Sequence, residues 1–237
     1  MRVSTVDIED VGVEVQVRDP GAIAWNYTRA ETIADLAVHI TGLCLGIVAA
    51  TILLVHAALH AAVMNIIAAS IYCAGLLSML TFSAAYNLWP IGPTKWRLRR
   101  LDQSAIYLLI AATYTPLVID AKAGTQALYF LVGIWCVAAL GIVGALTLPG
   151  RLDRVSIGLY VGMGWSIVIL WGAKHVSFPF ATFRLLVAGG ALVTAGLIFH
   201  LWPGLKFQLA IWHLIVLLAV SCHYAAVLSL VLGPAAT

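Results

Sequence analysis

The sequence predicts an all-α membrane protein, a bundle of seven transmembrane helices with its N-terminus cytoplasmic and its C-terminus outside. Three observations carry this. Apolar types make up 62% of the 237 residues and charged types only 10%, where a soluble domain has about 45–50% and about 25%. The apolar residues gather in seven continuous runs, most of them near the roughly 20 residues that a spanning helix needs. Lys and Arg fall almost wholly between those runs, and mostly on one side. A fold of this size still exposes a large surface to water and cannot hide so much apolar surface within itself. A soluble enzyme, a nucleic-acid-binding domain and a disordered chain are therefore excluded. The runs also lack the alternation of lipid-facing strands, which argues against a closed barrel.

Residues 1–30 read as a short cytoplasmic arm. Val13, Val15 and Val17 alternate with Glu14, Gln16 and Arg18 before Pro20-Gly21 breaks the pattern. The stretch is strand-like, and too acidic and polar for a signal peptide. Residues 31–237 form the membrane domain. Broken at charges and at Gly and Pro turns, its runs are Ile33–Ala57, Ala62–Leu88, Ala105–Ile119, Thr125–Leu146, Ile157–Gly172, Phe180–Leu201 and Leu209–Leu232. The third and fifth are short and borrow residues from Leu101–Ser104 and Arg154–Ser156.

Orientation follows from charge. The N-terminus and the second–third, fourth–fifth and sixth–seventh loops share a side and carry Arg2, Arg18, Arg29, Lys95, Arg97, Arg99, Arg100, Arg151, Arg154 and Lys206. The other side holds only Lys122 and Lys174, and Arg184 lies within the sixth run. The basic side is the inside. Cys44, Cys73, Cys136 and Cys222 are dispersed in apolar stretches, so they read as small apolar side chains and not as a disulfide or thiolate site.

An ionisable group inside a span costs about 2.5–3.5 kcal/mol at its centre, so each is a functional candidate. Glu31, Asp35 and His39 are spaced by four and share one face at the inner end of the first helix. Ser83 and Asn87 do the same on the second. Asp102 opens the third helix, His200 closes the sixth, and His213 lies about one turn into the seventh. Successive helices alternate direction, yet all these groups fall at one depth, which marks a polar pocket near the cytoplasmic face. Structural roles stand beside this reading. Asp102 serves equally as a helix N-cap, Ser83 can bond its own backbone, and Asn87 can end a helix. His39 and His213 sit deeper, where an imidazole needs a partner. His56, His60 and His175 read as interfacial on the outside. His223, about 15 Å beyond His213 along the helix, reads as a helix–helix hydrogen bond.

The stretch from Tyr27-Thr28-Arg29-Ala30-Glu31 through Asp35, His39 and Gly42 resembles the opening of the hemolysin III family, the bacterial branch of the progestin and adipoQ receptor superfamily. LDQSAIYLLIAATYTPL (Leu101–Leu117), GLYVGMGW (Gly158–Trp165), GGALVTAGLIFH (Gly189–His200) and AIWHLIVLLAVSCH (Ala210–His223) look like its later helices, in order, so that the likeness spans residues 27 to 230. The resemblance implies a zinc ion near the cytoplasmic face, held by the histidine of an SxxxH motif on the second helix and both histidines of an HxxxH pair opening the seventh. An aspartate on the third helix orients the metal-bound water. Ser83, Asp102 and His213 match the serine, the aspartate and the second histidine of the pair. Asn87 and Leu209 stand where the other two ligands belong. Leu cannot ligate, and an amide oxygen is a poor zinc donor beside imidazole.

With a full ligand set, the resemblance implies zinc-dependent hydrolysis of a lipid amide, of the ceramidase kind, with Asp102 and Ser83 in the catalytic machinery. A substitute zinc site from His39, His200 and His213 with Asp102 is one way to restore it, and His200 stands where the family usually has a tyrosine-like residue. The departures favour the other reading: a lipid-binding or sensor-like bundle with no catalytic zinc and a pocket of Asp35, His39, Asn87, His200 and His213. The family name also implies membrane perturbation, but no helix carries a continuous polar stripe to line a channel. The expected partner is membrane lipid. The loops are too short to take a protein hormone, and the expected location is a bacterial plasma membrane.

Overall fold

The computed structural model describes residues 27–120, 124–148, 150–172, 179–202 and 204–231. Most of the N-terminal arm lies outside the described residues, as do Lys122, Lys174 and His175. The described chain contains seven helices and no strand: α1 (Arg29–His60), α2 (Val63–Leu88), α3 (Pro93–Asp120), α4 (Thr125–Thr147), α5 (Asp153–Gly172), α6 (Phe180–His200) and α7 (Gln208–Val231). Six of these, all but α3, are long and apolar enough to cross a membrane.

Each helix packs on the next and α7 returns to α1, which closes a ring, while α3 also touches α5 and α7. The core has two parts. Leu53, Tyr72, Leu76 and Val227 fill the space among α1, α2 and α7, and Tyr107, Tyr114, Ile134, Met163 and Ile167 fill the space around α3, α4 and α5. The outer surface is apolar too, with Leu45, Ile47, Val48, Leu140 and Ile169 all more than half exposed. Apolar side chains both inside and outside are what a lipid solvent requires.

In lipid, helices associate through close packing and interhelical hydrogen bonds. Gly75 of α2 lies so close to α3 that an added Cβ would stand 2.7 Å from the Ala112 Cβ and 3.3 Å from the Leu109 Cα. Tyr114 Oη donates to the Met163 carbonyl at 2.8 Å, and Tyr160 Oη to the Gln103 carbonyl at 2.9 Å, binding α5 to α3. Trp135 Nε1 reaches Thr115 Oγ1 at 3.2 Å from α4. Tyr224 Oη reaches the Ala49 carbonyl at 2.8 Å, binding α7 to α1.

The third helix begins well before its apolar run. Pro93 starts it, and the polar segment Thr94–Arg100 is helical, so Asp102 lies inside the helix and not at its N-cap. The reason is local: Pro is favoured in a first helical turn, and the basic residues that end a hydropathy run do not end a helix.

Candidate functional site

The N-terminal ends of α1, α3 and α7 and the C-terminal end of α2 meet, and the polar side chains of each turn toward one another. Helix α1 starts at a capping box: Thr28 Oγ1 accepts from the Glu31 amide at 3.3 Å, and Glu31 accepts from the Thr28 amide at 2.9 Å. The other Glu31 oxygen takes the Phe207 amide at 2.9 Å. Glu31 thus fastens α1 to the turn before α7 and does not join the cluster one turn deeper.

That cluster is Asp35, His39 and His213. Asp35 and His39 are only 5% and 8% exposed. His213 Nδ1 donates to Asp35 Oδ1 at 2.6 Å, which fixes the ring and leaves Nε2 facing the Asn87 amide nitrogen at 3.5 Å. Asn87 Nδ2 also donates to the Ser83 carbonyl at 2.9 Å, one turn back on its own helix. His39 Nε2 stands 3.5 Å from Asp35 Oδ2 and its ring lies 4.4 Å from that of His213, yet this nitrogen is buried with no hydrogen-bond partner. Ligating atoms of the three residues all lie within 4.8 Å of one another. Asp102, half-buried on α3, has the Ser83 hydroxyl as its hydrogen-bonding neighbour, with His213, His39 and Arg99 within electrostatic reach.

The cluster opens into a cavity of about 700 Å3 that runs from Trp89 and Arg99 at the end near the cluster past Leu109 and Val193 to Leu186 and His223. Its rim at that end is polar and its length mostly apolar. Asn87, Asp102, His200, Leu209 and His213 all line it.

The sequence-derived candidates therefore divide. Asp35, His39 and His213 come together, Asn87 touches His213, and Ser83 pairs with Asp102. His200 does not join them: its ring packs on Trp212 at 4.8 Å, and its carbonyl takes the Gln208 side chain at 2.7 Å. His223 lies against Gly189 and the Leu186 backbone of α6, the helix–helix role its depth suggests. The rings of His56 and His60 lie tilted against each other, centroids 4.7 Å apart, at the far end of α1.

Lys95 was not among those candidates. It is 6% exposed, and its ammonium donates to the Tyr86, Asn87 and Trp89 carbonyls at 2.8, 3.1 and 3.0 Å. It satisfies the open C-terminal end of α2 and so holds the backbone that presents Asn87. The available signal was a Lys a few residues beyond a helix terminus, read only as loop charge.

The three-histidine zinc set does not fit these residues. The atom Asn87 turns toward His213 is an amide nitrogen, which has no lone pair to give, and Leu209 offers only carbon.

An all-helical, multi-pass membrane protein with a buried Asp–His cluster at one end is the class that fold and site define. The family described as Haemolysin-III related matches residues 28–224, and the chain belongs to it. It is 35% identical to the hemolysin-3 homolog of Bacillus subtilis (strain 168) over 191 residues, 81% of this chain and 90% of that protein. It is likewise 35% identical to hemolysin-3 of Bacillus cereus over 205 residues, 86% and 94% of the two chains. The human monocyte to macrophage differentiation factor is 28% identical over 169 residues, 68% of this chain and 69% of that protein.

Proposed function

We propose that this protein is a lipid-binding, sensor-like bundle that keeps the hemolysin III fold and pocket without the catalytic three-histidine zinc. The observation that carries the reading is the pocket itself: a mostly apolar cavity of about 700 Å3 that ends in a polar floor where Asn87 and Leu209 occupy two ligand positions. A cavity of this size and polarity suits an acyl chain, and the floor suits its polar head. Asp35, His39, Asn87, His200 and His213 are the pocket residues, and Ser83 and Asp102 keep their places without the water that a three-histidine zinc would hold.

The same reading assigns seven spans. Helix α3 is the seventh: Ala105, Tyr107, Ala111, Leu117 and Val118 are buried by its neighbours, so it need not be apolar all round. The arm and the polar floor are cytoplasmic and the C-terminus is outside, as the Lys and Arg distribution supports, and the location is a bacterial plasma membrane, a reading supported by the likeness to the two Bacillus proteins.

Native mass spectrometry of the protein released from detergent tests the reading. Bound lipid is expected on the wild type, and less on Gly190→Phe, which fills the cavity from α6 at a position where an added Cβ meets only ordinary contacts. Wild-type protein free of lipid, or lipid amide hydrolysis by the protein as purified, would sink it.

A further inference from the structure

We propose that Asp35, His39 and His213 form a divalent-metal site of this chain's own, taking a first-row transition ion such as Zn2+ through two imidazoles and one carboxylate. The site shares only His213 with the set implied by the family. Its other two ligands come from α1, in place of positions 87 and 209.

Three observations support it. The ligating atoms of these residues, from two helices, lie within 4.8 Å of one another. A tetrahedral zinc with bonds of about 2.0–2.2 Å holds its ligand atoms about 3.3–3.6 Å apart, and His39 Nε2 and Asp35 Oδ2 already stand at 3.5 Å. Finally, His39 Nε2 is buried and makes no hydrogen bond, facing the Asp35 carboxylate at 3.5 Å. A buried polar atom in that state is destabilising, and a metal ion is one partner that relieves it.

The remaining pair must adjust. His213 Nδ1 and Asp35 Oδ1 share a proton at 2.6 Å, shorter than two ligands of one ion can be. As the ion arrives, that proton passes through the cavity to Nε2 of the same ring, so that the imidazole stays neutral, and the two atoms part by roughly an ångström to reach ligand spacing. Asn87, against the other nitrogen of His213, then turns its Oδ1 to accept from Nε2–H and so keeps the ring oriented, as outer partners of metal-bound histidines do. Two imidazoles with one carboxylate suit Zn2+ or Co2+, whereas Ca2+ and Mg2+ prefer all-oxygen shells. The proposal is independent of lipid binding, because metal content and lipid retention are read separately.

His56 and His60, four residues apart and in ring contact at the far end of α1, are a surface competitor, so the test must separate the two places. Purified full-length protein in detergent, stripped with chelator, is titrated with Co2+ and then Zn2+. One ion per chain is expected, with the visible bands of a nitrogen- and oxygen-ligated tetrahedral Co2+. Asp35→Asn and His39→Ala should each weaken binding at least tenfold, and His56→Ala with His60→Ala should leave it unchanged. Zinc-edge X-ray absorption on the wild type, independent of any variant's folding, should show two imidazoles and oxygen. No stoichiometric binding, indifference to Asp35→Asn and His39→Ala, loss with the His56 and His60 pair, or a sulfur shell would each overturn the assignment.

Discussion

His213 and Asp35 form a charge-assisted hydrogen bond in a place that water reaches only through the cavity. Interhelical bonds of this kind contribute about 0.6 kcal/mol on average in membrane bundles and up to about 1.7. The 2.6 Å geometry and the 5% exposure of Asp35 put this one near the top of that range. Asp35→Asn is expected to destabilise the bundle by about 1–2 kcal/mol, read as a lower midpoint of denaturant unfolding in detergent. Lys95→Met should cost more, about 1–3 kcal/mol, because three carbonyls at the end of α2 lose their donor together. A midpoint unchanged in Lys95→Met would mean that water replaces the ammonium there. The depth of Asp35, His39 and His213 was legible in the sequence, because a polar residue in an apolar run announces itself. Which of them touch was not, since contact depends on how far each helix is rotated about its axis. His200 shows this: it lies at the right depth but packs on Trp212.

At the scale of elements, the boundaries follow the apolar runs within a few residues for six helices and miss by about a dozen at the start of α3. A hydropathy run ends where charge begins. A helix ends where its capping chemistry says so, and Pro93 with Thr94–Arg100 supplies a start and not a stop. The α2–α3 contact was equally hidden, because Gly75 and Ala112 are unremarkable in a small-residue sequence until their helices are laid together. Gly75→Val should force these helices apart against the Leu109 backbone. A cost of about 1–3 kcal/mol is expected for such overpacking, visible as a lowered thermal midpoint. At Gly158, where an added Cβ meets nothing within 4 Å, the same substitution should leave the midpoint nearly unchanged.

For the whole molecule, the convergence of α1, α2 and α7 on one spot has a direct test. Asn87 and Leu209 both line the cavity beside His213. Replacing both with His should create a three-histidine set and tighten zinc binding at least tenfold over the wild type, measured by competition with a chelator. Failure would mean that α2 and the start of α7 are set too far apart for one ion. Topology has its own readout. Alkaline phosphatase fused after residue 237 is expected to be active and a fluorescent protein there dark in a bacterial host, with the reverse at the N-terminus.

Helix α3 carries Lys95, Arg97, Arg99 and Arg100 in its first two turns and Thr113 and Thr115 in its buried middle. Alone in a bilayer it would be a reluctant occupant, held back by its own polarity. As the proposed seventh span, it depends on company for its residence there: Gly75 opens a groove for it, and Trp135 and Tyr160 reach across to it. During synthesis, α3 is therefore expected to stay beside the insertion machinery until α4 and α5 emerge, and a chain cut short after residue 120 should be degraded by membrane proteases where one cut after residue 172 survives.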